Sequence, residues 1–334
     1  MAAKRLSFLS GILLAGVTLG CAVWPGGAAA EKPYPNKLIK MIVPIVPGGP
    51  TDIVARAIGD KLSVSLKQPI VIENRTGAGG NVGTDAIAKA TPDGYTLGFV
   101  LSTMLTVNPH LYKKFPFDPD KDIRPISILT GGGMMLVVHP SVPVNSVAEF
   151  VAYAKAAAAR KEPITYASGG NGTPGHLTME NFRFHAGFDA VHVPYRGNTP
   201  LVIDLVAGQI KFGFVTSSGM MDHVLAGRLK ALGVSRLTRS PLAPDVPTIA
   251  ESGYPGFRVE SYNVFVAPAG VPDPIVTLME RESLAALKHP DIVARMRTMD
   301  TVPLQIGATE ARARLKADRE EWAKVVKATN MKVD

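Results

Sequence analysis

The sequence predicts an α/β protein whose sheets are mostly parallel and flanked by helices, and three observations carry that expectation. Short apolar runs rich in Val and Ile alternate with helix-patterned segments along most of the 334 residues. Those runs are continuously apolar, as in strands buried on both faces, rather than alternating as in half-exposed strands. Several end in a glycine turn that leads straight into a helix start, the connection of a βα unit. With 46% hydrophobic against 19% charged residues, the chain holds enough apolar side chains for two cored domains.

The first thirty residues are of another kind. Lys4 and Arg5 precede an apolar run from Leu6 to Val23, and Ala28-Ala29-Ala30 follows. A charged start, an apolar centre and small residues at the end describe an export signal cleaved near Ala30. Glycines interrupt the run and no second apolar span follows it, which argues against a membrane anchor. Cys21 is the one cysteine of the chain. It lies in "VTLGC", where Thr18 departs from a lipoprotein box, so cleavage at Ala30 is preferred over lipidation of Cys21. That cleavage removes every thiol, and with it disulfides, thiolate zinc sites and cysteine catalysis.

Beyond the signal, strands are expected at 39–44, 70–73, 96–101, 135–139, 165–167, 192–194, 211–215, 231–234 and 263–267. Pro50 suits a first helical position, and Ile53, Val54, Ala57, Ile58 and Leu62 follow at helical spacing. Ser146 and Glu149 have capping-box spacing ahead of an Ala-rich helix. Thr199-Pro200 and Asp273-Pro274 read as helix caps with a first-turn proline. "TPDGY" and "HPSVP" are turns. Net charge is +8 for the whole chain, and removing Lys4 and Arg5 lowers it to +6. The basic residues are scattered, without nucleic-acid signatures. A modest positive field suits small anionic solutes.

Four glycine junctions share one logic. They are Gly48 and Gly49 with Thr51 and Asp52; Gly79, Gly80, Asn81 and Val82; Ser168, Gly169, Gly170 and Asn171; and Tyr195, Arg196 and Gly197. Each stands where a strand hands over to a helix, and helix N-termini there can hold an anion through backbone N–H groups. One such turn is ordinarily a tight connection and nothing more; four suggest a shared site. The second junction does not fit a dinucleotide fingerprint, since Gly77 and Gly79 require glycine where Val82 stands. No Gly-x-Ser-x-Gly elbow and no His-Glu-x-x-His pair occurs, so neither a metal nor a cofactor is expected. His176 either touches an anion or packs against its turn. Ser168 has no base at a recognisable spacing and reads better as a donor to a bound carboxylate. Ser102 and Thr103, at the end of an apolar strand, have the same two readings, donor or loop residue. Arg196 is a carboxylate partner or a surface arginine, and Tyr195 a pocket wall or a core residue.

Together the segments "VPGGPTDIVAR", "VIENRTGAGGNVGTDAIAKATPDGYTL", "NPHLYKKFPFDPDKDIRPIS", "HPSVPVNSVAEFVAYAK", "YASGGNGTPGHL", "VPYRGNTPLVIDLVAGQI", "PDVPTIAESGYPGF" and "VAPAGVP" cover nearly the whole exported chain. In them the chain resembles the solute-binding receptors of tripartite tricarboxylate transporters, the Bug family. The resemblance implies a two-lobed periplasmic-binding-protein fold, type II-like, with a hinged cleft. It implies discontinuous lobes, 31–133 with 262–334 and 134–261 between them, and no enzymatic activity. It further implies capture of a small organic carboxylate and its delivery to membrane permease subunits. Carried over residue by residue, it assigns binding to the four junctions and to His176. The sequence departs from the family at Ile45, where an aromatic residue is usual, and at Arg196, where lysine is more frequent. Thr216 and Ser217 leave a neutral, hydroxylated wall where an acidic or amide residue is common, and Tyr262 stands for a usual Trp. Two other readings remain: an exported serine hydrolase using Ser168 or Ser102, and a sensor partner reporting to a membrane kinase.

Overall fold

The computed structural model describes residues 33–332; the expected export signal, Ala30 and Cys21 lie outside them. The order begins β1 (Ile39–Val43), α1 (Pro50–Leu66), β2 (Ile70–Asn74), α2 (Asn81–Ala88), β3 (Thr96–Leu101), α3 (Thr103–Thr106) and α4 (Asn108–Leu111). A long strand follows, β4 (Ile123–Val138). Next come α5 (Val147–Ala159), β5 (Thr165–Ser168), α6 (Pro174–Ala186), β6 (Val191–Pro194), α7 (Asn198–Val206), β7 (Phe212–Thr216), α8 (Ser217–Leu225) and β8 (Lys230–Val234). The chain ends with β9 (Glu260–Pro268), α9 (Asp273–Ala286), α10 (Pro290–Thr298), β10 (Thr301–Gly307) and α11 (Ala308–Thr329). From Tyr34 onward these elements pack as one unit.

The sheets are mixed. β1 pairs in parallel with β2 and β3, and β5 with β6 and β7. These are the strands whose apolar runs read as buried and parallel. Antiparallel pairing gathers around β4: residues 123–133 face β9, with β10 beside them, and 134–138 face β7 and β8. One strand thus serves two sheets and changes partners at Gly133–Met134. The first part of β4 and all of β10 were not among the expected strands. Pro125 and the run Gly131-Gly132-Gly133 break the apolar signal in β4, and Pro303 sits at a register shift in β10.

Helix starts obey their local chemistry. The Ser146 side chain accepts from the Glu149 N–H at 3.1 Å, and Glu149 Oε2 accepts from the Asn145 N–H at 2.7 Å. Pro50 opens α1, which buries Val54, Ala55, Ile58 and Leu62 against Ile39, Met41 and Val43 of β1. Each of the larger side chains, Val, Ile, Leu or Met, contributes roughly 1.5–3 kcal/mol when fully buried. On the second sheet, Phe150 and Phe212 meet edge to face with centroids 4.8 Å apart, and Phe182 meets Phe214 at 5.8 Å. α11 ties distant parts together. Arg314 donates to Glu260 Oε2 at 3.2 Å and to the Tyr262 hydroxyl at 2.9 Å, and Arg258 pairs with Asp318 at 2.6 Å. Tyr262 is therefore fully engaged in the interior.

Candidate functional site

A cavity of about 320 Å³ lies at the point where β4 changes sheets. Gly132, Gly133 and Met134 of β4 line it together with Ser261 and Asn263 of β9. The first residues of four helices complete it: Pro50 and Thr51 of α1, Pro174 of α6, Asn198 of α7, and Ser217 and Ser218 of α8. First-turn N–H groups have no acceptor within their own helix, and the dipole places about half a positive charge there. Ile45, Leu101 and Met299 add apolar surface.

Asp300 also lines the cavity, the one ionisable side chain among the described lining residues. Its charge is answered. Fully buried Arg236 donates from Nη2 to Asp300 Oδ1 at 2.9 Å and from Nη1 to the Asp300 carbonyl at 3.4 Å. Ser240 Oγ donates to the same Oδ1 at 2.6 Å. The cavity therefore combines several positive dipole ends with a single carboxylate whose charge Arg236 offsets from behind, an environment in which a buried carboxylate finds donors.

Three of the expected site residues line this cavity: Thr51, Thr216 and Ser217. Others shape its edges. Gly49 is the N-cap of α1 and Gly197 that of α7. The Gly48 N–H donates to Asp52 Oδ2 at 2.9 Å, so it is engaged within the turn. Asp52 also receives Arg56 at 2.9 Å and Asn74 at 2.8 Å. Burial pushes its carboxyl up, but these three donors outweigh that and hold it below the ordinary range. Asp52 braces the first turn and does not line the cavity.

The second junction turns its amides inward. Gly80 and Val82 donate to the Gly77 carbonyl at 2.9 and 3.4 Å, and Asn81 donates to Ala78. A Cβ on Gly79 would stand 2.5 Å from the Tyr112 hydroxyl. Gly79, Gly80, Asn81 and Val82 are therefore not brought to the cavity, and Val82 is exposed.

The third junction is braced in the same way. Gly170 donates to Ser168 Oγ at 3.1 Å and Gly172 to His176 Nδ1 at 3.0 Å. Ser168 Oγ donates to the Gly170 carbonyl at 2.9 Å and lies 2.7 Å from His192 Nε2, which must then be the donor. This partner was not legible from spacing; parallel pairing of β5 with β6 brings it in. The rings of Tyr166, His192 and His176 stack, with the two imidazoles 3.9 Å apart. Burial above all, then His192, holds His176 down at about 4, and burial also lowers His192. Ser168, Gly169, Gly170, Asn171 and His176 stand outside the lining. So do Ser102, whose Oγ accepts from the Tyr262 N–H at 3.0 Å, and Thr103. Neither Ser168 nor Ser102 is more than 3% exposed, so neither is placed as an attacking hydroxyl. At the fourth junction the Tyr195 N–H donates to Ser168 and the Gly197 N–H to Gly169, Tyr195 Oη donates to Asp204 at 2.6 Å, and Arg196 is exposed.

Sequence reasoning missed Gly132, Asn198, Ser261, Asn263 and Asp300. The triple glycine at 131–133, interrupting an apolar stretch, was the available signal. Asp300 carried none, since its partner lies 64 positions away.

The profile of the tripartite tricarboxylate transporter family receptor matches residues 54–331. The chain is 33% identical over 330 residues to the protein BugT of Bordetella pertussis, covering 98% of both chains. Among solved structures it is similar to a Rhodopseudomonas palustris protein with adipate, at 30% identity and a TM-score of 0.73, covering 90% of this chain and 100% of that one. MatC from Rhodopseudomonas palustris with bound malate matches at 30% identity and a TM-score of 0.70, covering 88% and 100%. The matched family is one of receptors, which bind a solute and are not enzymes. The chain belongs to the receptor family of tripartite tricarboxylate transporters.

Proposed function

We propose that this receptor works in the periplasm, captures a small organic carboxylate in the cavity beside β4 and delivers it to the permease subunits of a tripartite transporter. One observation carries the reading: four helix starts border a single cavity whose one charged side chain among the described lining residues, Asp300, is paired with buried Arg236. At about 320 Å³ the space lies at the small end of ligand sites, which run from roughly 300 to 1,000 Å³. Adipate and malate in two relatives support the same ligand class. In this reading the lobes are 31–133 with 262–334, and 134–261, and they close around the solute. The exchange of sheet partners at Gly133–Met134 supports a hinge at that boundary. Thr51, Thr216 and Ser217 touch the ligand, while Asp52, Ser168 and His176 hold the turns behind it. An amino-terminal export signal ending near Ala30 accounts for the location.

The test is thermal unfolding of the exported protein with C3 to C6 carboxylates and with neutral amides of the same length. A binding acid at a hundred times its Kd adds about 2.7 kcal/mol to stability. The reading fails when amides stabilise the protein as well as acids do, or when no acid stabilises it.

A further inference from the structure

Nine buried side-chain atoms among the described residues have no hydrogen-bond partner within the protein, and four of them are on residues that line this one cavity. They are Ser217 Oγ, Ser261 Oγ, Asn263 Oδ1 and Asp300 Oδ2. Buried polar atoms are ordinarily paired, so their gathering in one place is informative. Their chemistry is uneven. The two hydroxyls can donate or accept. Asp300 can only accept: Oδ1 is taken by Arg236 and Ser240, and Oδ2 is free. Asn263 donates from Nδ2 to Thr130 Oγ1 at 2.7 Å, which leaves Oδ1 as a second acceptor. Asp300 also has φ 50°, in the left-handed region that non-glycine residues avoid. Strain of that kind persists where surrounding contacts impose it.

A plain carboxylate satisfies donors, and helix starts with Ser217 supply those. It gives nothing to an acceptor. We propose that Asp300, with Asn263 of the same lining, determines specificity by accepting a hydrogen bond from a hydroxyl or ammonium group of the solute. The inference rests on the carboxylate reading and narrows it. The solute is an acid that also carries an O–H or N–H donor, rather than a simple alkanoate or alkanedioate.

The experiment is calorimetric titration of the exported protein with matched triplets at each length from C3 to C6: the plain acid, its hydroxy derivative and its amino derivative. At the length that binds, one donor-bearing member is expected to bind at least ten times more tightly than the plain acid. The hydroxy and amino arms tell the two donors apart. A plain acid that binds within threefold of both derivatives overturns the proposal and leaves the carboxylate reading standing. Binding of neutral amides and of no acid overturns both. The double variant Arg236→Met with Asp300→Gly removes the acceptor without leaving a lone buried charge, and glycine suits the positive φ there; the ratio is expected to fall below threefold. Asn263→Ala keeps the ion pair and is expected to lower the ratio severalfold. An unchanged ratio in either folded variant removes that residue from the assignment.

Discussion

Replacing Arg236 by Met is expected to unfold the protein at a markedly lower temperature than any change at a surface ion pair. Arg236 is fully buried and Asp300 is 3% exposed. Removing one partner of such a pair leaves the other charge without compensation, at about 3–5 kcal/mol. The exposed pair Lys316–Glu320, with side chains 64% and 65% exposed, is the control, and pairs of its kind contribute roughly 0–1 kcal/mol. For a chain of this size each kcal/mol moves Tm by about 2 °C. Arg236→Met should therefore lower Tm by about 6–10 °C, and Lys316→Met by about 2 °C at most. Scanning calorimetry at pH 7 reads both. Added salt should leave the Arg236 effect nearly intact, because buried pairs are weakly screened. Asp300→Gly and the double variant complete the cycle. Much of the loss should return in the double variant, where neither charge remains to be buried alone. A drop for Arg236→Met no larger than the control, or strictly additive losses around the cycle, would refute this account of the pair.

Ser217→Ala removes a hydroxyl that has no partner in the protein, so Tm should hold within about 1 °C. Carboxylate affinity should fall roughly 10- to 100-fold, the weight of a hydrogen bond to a charged group; unchanged affinity would take Ser217 out of the site. Gly132→Val places its Cβ 3.8 Å from Thr301 Oγ1, an ordinary contact, yet fills the cavity. Binding measured by calorimetry should vanish while the circular dichroism spectrum stays that of the parent. For the stacked imidazoles the sign follows from His176 lying at about 4 when folded and near 6.5 when unfolded. The unfolded chain takes up that proton first, so this contribution to stability is complete above about 6.5 and is lost as pH falls toward 4. The loss is on the order of 3 kcal/mol, and lowered His192 adds in the same direction. Urea unfolding at pH 7 and pH 4.5 measures it, and His176→Gln should flatten that part of the profile.

The contrast between turns explains what was legible. Strands β1, β3 and β7 declared themselves because each is a short apolar run buried on both faces. Pro50 and the Ser146–Glu149 spacing announced helix starts because a cap is a local affair of three or four residues. The glycine junctions announced turns correctly, but not the destination of their N–H groups. At Gly80, Val82, Gly170 and Gly172 those groups close the loop upon itself. Thr51, Thr216 and Ser217 were within reach of sequence reasoning because they sit at or inside a helix start. Asp300 and Asn263 were not, for their meaning comes from partners distant in sequence, Arg236 and, across the sheet, Thr130.

The three glycines at 131–133 divide labour around the cavity. Their strand is hydrogen-bonded to β7, β8, β9 and β10, and two of the three form bare backbone wall. A side chain added at Gly132 or Gly133 takes space from the solute, on a stretch of strand whose own pairings are with β9 and β10. The helix-start residues carry no such burden, since each ends in a loop that can absorb a change. Adaptation to a different solute is therefore expected to rewrite Thr51, Asn198 or Ser217 and to leave the glycine floor as it is.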